Sequence, residues 1–258
     1  RKKDVAFFKR SVAIALIVGL LSGLGLAFSG HSQARYLINV QPMKMAAAEG
    51  IWKNTGDPAP WTLFSIIDTK NKKSEYKVQI PYLLSYLSYG KFSGSVKGMN
   101  ELQKEYAQKY GEGNYIPPVK TTFWSFRIMV ATGGIMILMS LIGLYLVWKK
   151  KIENSMRYLK WLFPCMFIPT IGNSFGWIMS EMGRQPWVVN GLMKTSAGVS
   201  PNVSAGELLF SLIAFSIVYT LLAVAMAYLF IRVIKQGPQA KSMDDITASD
   251  PFNTRRVV

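Results

Sequence analysis

Residues 12–28 read VAIALIVGLLSGLGLAF, a run that has no charged side chain and no polar face. An amphipathic helix of a soluble protein would carry polar residues along one side, whereas a membrane helix needs about 20 consecutive apolar residues. Three more stretches meet that requirement, and the four predicted spans are residues 11–28, 126–148, 161–180 and 208–231. The sequence therefore predicts an all-α integral membrane protein with four transmembrane helices and a long extracytoplasmic loop after the first.

The basic residues are distributed in step with these spans. The net charge is +16, and Lys and Arg cluster before the first span, between the second and third, and after the fourth. Because Lys and Arg concentrate in cytoplasmic loops, both ends of the chain and the connection 149–160 are predicted to face the cytoplasm. Nucleic-acid binding is the weaker explanation of the charge, and Lys-rich ends also favour the head groups of anionic membrane lipids.

The spans and charges divide the chain into four predicted regions. They are a first span with its basic flank (1–29), an extracytoplasmic loop (30–122), a three-helix membrane region (123–233) and a disordered cytoplasmic tail (234–258). Within the loop, alternating residues predict a short strand at 76–80, and 96–110 has the character of a helix. Pro164 and Pro169 predict a kink in the third span, where the single cysteine, Cys165, is predicted to be a small buried apolar residue.

Small residues recur along the first span, at Gly19, Gly23 and Gly25. In a membrane helix such residues allow close contact with a neighbouring helix. Room for a flat cofactor is the alternative explanation, and packing is the more common one.

A motif with an acid, a base and an aromatic ring follows the third span. Residues 181–189 read EMGRQPWVV, and Glu181, Arg184 and Trp187 thus crowd together where a helix leaves the membrane. Ionisable residues at such positions are costly to place and usually face the protein interior or a cavity. The alternative is an interfacial cap, in which Arg184 extends to the head groups and Trp187 joins the aromatic belt. Trp177 lies four residues before Glu181 and so shares its helix face.

A second motif begins the loop. Residues 41–50 read QPMKMAAAEG, in which Pro42 is a plausible first helical residue and Lys44 and Glu49 carry opposite charges. The pair would suit a polar ring headgroup, while a short amphipathic helix at the membrane interface is the alternative on spacing alone. Nearby, His31 is the only histidine, and two interpretations stay open for it, a proton relay or a plain exposed loop residue.

A third motif opens the second span, where residues 126–131 read FRIMVA. Met129 taken alone would be a packing residue, since the chain has 13 methionines. Arg127 changes the interpretation, because a cation just inside a span needs an anion or a carbonyl partner, and haem propionates would supply one. A methionine thioether is also an axial haem ligand.

Together the three motifs resemble subunit I of the cytochrome bd-type quinol oxidases, in the form with the shorter quinol-binding loop. The resemblance implies that Lys44 binds a quinol oxygen and Glu49 accepts a proton, with His31 as a possible relay. It implies that Met129 is the ligand of haem b558 and that Arg127 stabilises the reduced haem. Glu181 is then an axial ligand near the high-spin haems b595 and d, or a further haem b. Trp177 would lie between haems, and Arg184 and Trp187 would pack around their propionates.

The resemblance also implies an activity, a location and partners. The family oxidises quinol at the outer face of the prokaryotic cytoplasmic membrane, reduces oxygen to water, and generates a proton motive force without pumping. Its partners would be subunit II and small accessory subunits. Family members carry further N-terminal spans with the His ligands of two haems, so we expect this chain to be the C-terminal portion of subunit I, inactive alone. The alternative functions are a transporter or receptor with a ligand-binding outer loop, or a b-type cytochrome that oxidises no quinol.

Overall fold

The computed structural model describes residues 5–236, and four helical segments of that part are long and apolar enough to cross a membrane. They are Val5–Val40 (α1), Val119–Trp148 (α5), Met156–Met182 and Ala205–Lys235. The prediction of four membrane helices is confirmed. The segment 41–118, called here the α1–α5 connection, and the short segment after Met182 contain the strands.

The first helix is longer than the apolar run that predicted it. α1 has 36 residues and ends at Val40, so residues 30–40 are helical, although the sequence analysis assigned them to the loop. The helical conformation of residues 30–40 was not expected, because hydropathy detects only the lipid-crossing part of a helix. The helix ends before Pro42, since the residue that precedes a proline disfavours helical backbone. α5 likewise begins directly after Pro118, seven residues before the predicted span.

The membrane helices of the first compact unit, residues 1–199, pack through small residues. A Cβ added at Gly19 of α1 would lie 3.2 Å from the Ser140 hydroxyl of α5, and one at Gly23 would lie 2.8 Å from Ile137. A Cβ at Gly25 would meet nothing within 4 Å. Gly19 and Gly23 therefore let α1 approach α5, which agrees with the packing interpretation.

The third membrane segment is broken at its prolines, as predicted. α6 (Met156–Cys165) contains Pro164, and α7 (Ile168–Met182) has Pro169 in its first turn. A proline inside a helix removes a backbone hydrogen bond and clashes with the preceding turn, which explains the interruption at residues 166–167. Cys165 is buried, in agreement with its predicted apolar role. A short 3₁₀ turn, Ile152–Asn154, joins α5 to this segment.

The α1–α5 connection folds into three helices and a hairpin. Its elements are α2 (Pro42–Glu49), β1 (Trp61–Asp68), β2 (Lys73–Ile80), α3 (Leu83–Tyr89) and α4 (Met99–Tyr110). The strands are antiparallel and pair from Trp61 with Ile80 to Asp68 with Lys73. The predicted strand is thus the second half of β2, and its partner β1 was missed. The predicted helix is α4, which begins three residues later than expected.

The core of the connection is built on α2 and the start of α5. Its buried residues include Met43, Ala47, Trp52, Met99 and Phe123. Because α2 contributes to this core, its position relative to α5 is fixed by packing, and the polar residues of both helices are held close together.

The remaining elements follow α7. β3 (Trp187–Val189) and β4 (Met193–Lys194) form a small antiparallel pair, followed by a 3₁₀ turn at Thr195–Ala197. α8 (Ala205–Gln236) belongs to a second compact unit that begins at Ser200. The Ser204 and Glu207 side chains cap its first turn reciprocally, at 3.3 and 2.9 Å. The predicted tail began at residue 234, but residues 234–236 are helical, and the rest lies outside the described residues.

Candidate functional site

A buried ion pair joins the end of α2 to α5. Arg127 Nη2 lies 2.7 Å from Glu49 Oε2, and the two side chains are only 6% and 1% exposed. The guanidinium also donates to the carbonyl oxygens of Thr62, at 2.8 Å from Nε, and Ala48, at 3.0 Å from Nη1. The cation just inside the second span therefore has the anion and carbonyl partners that the sequence analysis required, and they come from the α1–α5 connection.

Both oxygens of the Glu49 carboxyl group accept hydrogen bonds. Its second oxygen accepts a hydrogen bond from Trp61 Nε1 at 3.2 Å. Burial raises the pKa of Glu49, while the charge and hydrogen bond of Arg127 and the bond from Trp61 oppose the rise. The group combines an increased proton affinity with a fixed position.

Aromatic rings surround the guanidinium. Arg127 Cζ lies 4.3 Å from the ring centroid of Phe123, 5.1 Å from that of Phe126 and 5.2 Å from that of Trp61. Cation–π attraction is strongest where water is excluded, as it is here. Neither Trp61 nor Thr62 was singled out in the sequence, because nothing in the local pattern links a strand residue to an arginine more than 60 positions away.

Gly50 creates the turn that places Glu49 at the end of its helix. Its backbone is left-handed (φ 65°), the conformation that favours glycine. A Cβ there would also lie 2.8 Å from Ile67 Cδ1 and 3.2 Å from Phe123 Cδ2. Both the conformation and the space require glycine directly after the Glu49 carboxylate.

Lys44 lies at a different place, against the end of α7. Its Nζ donates to the Ser180 carbonyl oxygen at 3.1 Å and is 3.5 Å from the Ser180 hydroxyl. Partial burial and the nearby positive charge of Arg184 lower the pKa of Lys44, and Glu181 opposes this. Lys44 and Glu49 share α2 but contact different membrane helices, so the structure does not bring their charged groups together. The small cavity beside Lys44 has a volume of only about 10 Å³.

Gly183 makes room for Lys44. A Cβ at this position would lie 3.0 Å from Lys44 Cγ, 3.1 Å from Thr122 Cγ2 and 2.7 Å from the Met179 carbonyl oxygen. The glycine of the 181–189 motif thus allows the Lys44 side chain to cross the end of α7.

Gly183→Ala is expected to lower the unfolding free energy by roughly 1–3 kcal/mol, because an extra methyl group in a packed contact forces its neighbours apart. Thermal unfolding of the purified protein in detergent measures the change. Gly56→Ala is the control, since a Cβ there meets nothing within 4 Å. Equal effects of the two substitutions would contradict the crowding at Gly183.

Glu181 and Arg184 form an ion pair at the end of α7, and their side chains are 37% and 34% exposed. Trp177, one turn before Glu181, is 69% exposed. A carboxylate and an indole ring on one partly open helix face are compatible with a large flat ligand lying against that face.

Met129 contacts α7 through a glycine. Its Sδ would be 3.0 Å from a Cβ at Gly176, and its side chain is only partly buried. The thioether packs against Gly176 and stays partly exposed, and a thioether is a side chain that can bind haem iron. The residues present therefore fit the implied cofactor.

Trp187 and His31 each stack on a tyrosine of the α1–α5 connection. Trp187 is 5% exposed, and its ring stacks on Tyr115 with 5.5 Å between centroids. Its buried Nε1 has no hydrogen-bond partner within residues 5–236. His31 belongs to α1, which corrects its assignment to a loop, and it stacks on Tyr86 of α3 at 5.7 Å.

Known proteins with similar sequences are described as subunit I of cytochrome bd oxidases. The family model "Cytochrome bd terminal oxidase subunit I" matches residues 1–238. The "Cytochrome bd ubiquinol oxidase subunit 1" of Bacillus subtilis (strain 168) is 57% identical over 254 residues, covering 98% of this chain and 54% of the relative. A "Putative cytochrome bd menaquinol oxidase subunit I" of the same organism is 32% identical over 244 residues, covering 92% and 51%.

Proteins of lower sequence identity have the same kind of description. The "Cytochrome bd-II ubiquinol oxidase subunit 1" of Escherichia coli (strain K12) is 28% identical over 303 residues, covering 96% of this chain and 58% of the relative. Among solved structures, the bd oxidase from Geobacillus thermodenitrificans superposes with a TM-score of 0.75 at 25% identity, covering 92% of this chain and 52% of that one. The chain spans about half the length of the curated relatives it matches.

Proposed function

This chain belongs to the cytochrome bd terminal oxidase subunit I family, and we propose that it acts as part of a membrane enzyme that oxidises quinol and reduces oxygen to water. The observation that carries the proposal is the convergence of three motifs far apart in sequence. Arg127 pairs with Glu49, and Lys44 contacts the end of α7 beside Glu181 and Arg184. Family membership leaves the transporter and receptor alternatives without support.

Haem is the cofactor that the family implies, and when bound it would accept and pass on single electrons. Met129 would hold haem b558 through its thioether, with Arg127 close by on the same helix. Glu181 would hold a high-spin haem, b595 or either d or a further b, through its carboxylate, and Trp177 would contribute to electron transfer between haems. Arg184 and Trp187 would face propionates, for which the free indole N–H of Trp187 is a donor.

The quinol would bind at the outer face beside α2. Lys44 would donate a hydrogen bond to a quinol oxygen, and its lowered pKa makes the ammonium a better proton donor than an ordinary lysine. Glu49 would accept a quinol proton, and its raised pKa favours that role. His31, at the end of α1 near α3, would be a further proton relay.

The proposed arrangement separates the two halves of the reaction across the membrane. Protons from quinol would leave at the outer face, while protons for water would come from the cytoplasm, which generates a proton motive force without a pump. Both ends of the chain would face the cytoplasm. Subunit II, small accessory subunits and further spans of subunit I would complete the complex.

Lys44→Gln tests the quinol site. In the intact oxidase complex we expect kcat/KM for quinol to fall by roughly 10- to 100-fold, because a charge-assisted hydrogen bond to the substrate is lost. Oxygen consumption with an artificial one-electron donor should change little, since that donor does not need the quinol site. Lys53→Gln is the matched control, because Lys53 is an exposed lysine of the same connection. An equal loss with both donors would refute a role for Lys44 in quinol binding.

A further inference from the structure

An open polar cavity of about 400 Å³ lies between the end of α1 and α3, next to His31 but lined by none of the site residues described above. Its lining consists of polar and aromatic side chains from these two helices: Ser32, Arg35, Tyr36, Asn39, Ser88 and Tyr89. The lining contains one cation and no carboxylate, so its chemistry is that of a site for an anion.

Ser88 lines this cavity with a buried hydroxyl group, unpartnered within residues 5–236. Its residue is 3% exposed, and its buried hydroxyl has no hydrogen-bond partner in the described part of the chain. A helical serine commonly donates to the carbonyl oxygen four residues earlier, as Ser216 does to Leu212 at 2.7 Å. A buried polar group without a partner is costly, so a ligand that accepts a hydrogen bond from Ser88 would relieve it.

Arg35 supplies the charge. No carboxylate lies within 4.0 Å of its guanidinium among residues 5–236. The group lies over Gly90, where an added Cβ would be 3.4 Å from Cζ. Asn39 uses one amide hydrogen on the Arg35 carbonyl oxygen at 3.3 Å, which leaves its second N–H available. A guanidinium, an amide and a hydroxyl around one space are the donors that phosphate oxygens require.

The position along α1 limits where the phosphate can come from. Ser32 and Arg35 follow the apolar run that ends at Phe28 by four and seven residues, which is about 6 and 10 Å along a helix. The head-group layer of a bilayer extends roughly 5–8 Å beyond the hydrocarbon on each side, so Ser32 lies within this layer and Arg35 just beyond it, within reach of both a lipid phosphate and a free anion.

We propose that this cavity binds a phosphate group, and the head group of a phospholipid is the source tested first. The site would hold one lipid against α1 and α3. Free inorganic phosphate has the same chemistry and is the other source that the test must separate.

The test uses the purified, delipidated intact oxidase complex, titrated with dioleoylphosphatidylglycerol and observed by native mass spectrometry. Arg35→Gln is expected to weaken the binding of one lipid by about tenfold, since a charge-assisted contact is removed. Lys91→Gln removes the same charge from an exposed residue that does not line the cavity, and it should bind lipid as the wild type does. Equal lipid binding by the Arg35→Gln and Lys91→Gln complexes would overturn the proposal.

Ser88→Ala provides a second test, which can be used even if the complex with Arg35→Gln fails to assemble. It should weaken lipid binding about three- to tenfold, yet leave the melting temperature without lipid unchanged, because the hydroxyl has no partner to lose among residues 5–236. Competition by millimolar inorganic phosphate would assign the site to a free anion, and its absence would assign it to the lipid. Unchanged lipid binding in Ser88→Ala, or a lower melting temperature without lipid, would contradict the proposed role of this serine.

Discussion

Met129→Leu is expected to remove or alter the low-spin b-haem bands of the intact oxidase complex while its high-spin haem signals persist. Leucine has a similar volume, so packing against α7 at Gly176 is kept, but it has no sulfur to bind iron. Quinol oxidation should fall by at least ~100-fold, because loss of an axial ligand is expected to exceed the 10- to 100-fold effect of outer-shell changes. The measurement is a dithionite-reduced minus air-oxidised visible spectrum.

Met139→Leu is the control for this experiment. Met139 is also on α5, ten residues further along the helix, and it packs against buried apolar residues. Its substitution should leave the spectrum unchanged. A wild-type spectrum in Met129→Leu would show that the thioether is packing and would remove Met129 from the haem site.

Arg127→Gln is expected to destabilise the protein by about 3–5 kcal/mol, because it leaves the Glu49 carboxylate buried without its counter-ion. Glu49→Gln leaves the guanidinium in the same position and should also be costly. The double substitution should be less destabilising than the sum of the two, with a coupling of roughly 2–3 kcal/mol. Titration with dodecyl sulfate in detergent micelles measures the unfolding free energy of the four proteins.

An exposed ion pair in the same connection provides the comparison. Lys97 and Glu105 are 2.5 Å apart with side chains 58% and 42% exposed, so Lys97→Gln should change stability by ~1 kcal/mol or less. Additive effects at Arg127 and Glu49 would mean that the guanidinium has another main partner. The haem propionate expected from the sequence would then be the first candidate.

The membrane helices were predictable because each is coded by a local run of apolar residues. Their true ends were not, since the extensions into water contain ordinary helix-forming residues that hydropathy ignores. The prolines that limit them, Pro42 and Pro118, were visible in the sequence. β1 was missed for a different reason. Its pairing with β2 shifts register between Thr62 and Phe64 and again before Ile66, so its residues do not alternate strictly.

The chemistry-bearing residues were predictable as types, but their partners were not. The sequence singled out Arg127, Glu49 and Lys44 by charge in or near apolar segments. The ion pair joins positions 78 residues apart, and the Lys44 contact with Ser180 spans 136 residues. Pairings of this length depend on how helices pack. For this reason the sequence assigned Arg127 a cofactor as its anion and did not consider Glu49.

Arg127 donates hydrogen bonds to two carbonyl groups from separate elements, and this affects how the chain unfolds locally. Ala48 and Thr62 are the first and last residues of a 15-residue segment, and one guanidinium donates hydrogen bonds to the carbonyl oxygens of both. If one end detaches, its hydrogen bond to the guanidinium is lost, and the cation is left uncovered beside the other end. The backbone amides at the last turn of α2 and at the start of β1 should therefore exchange with deuterium together, in one cooperative event that protects both ends equally.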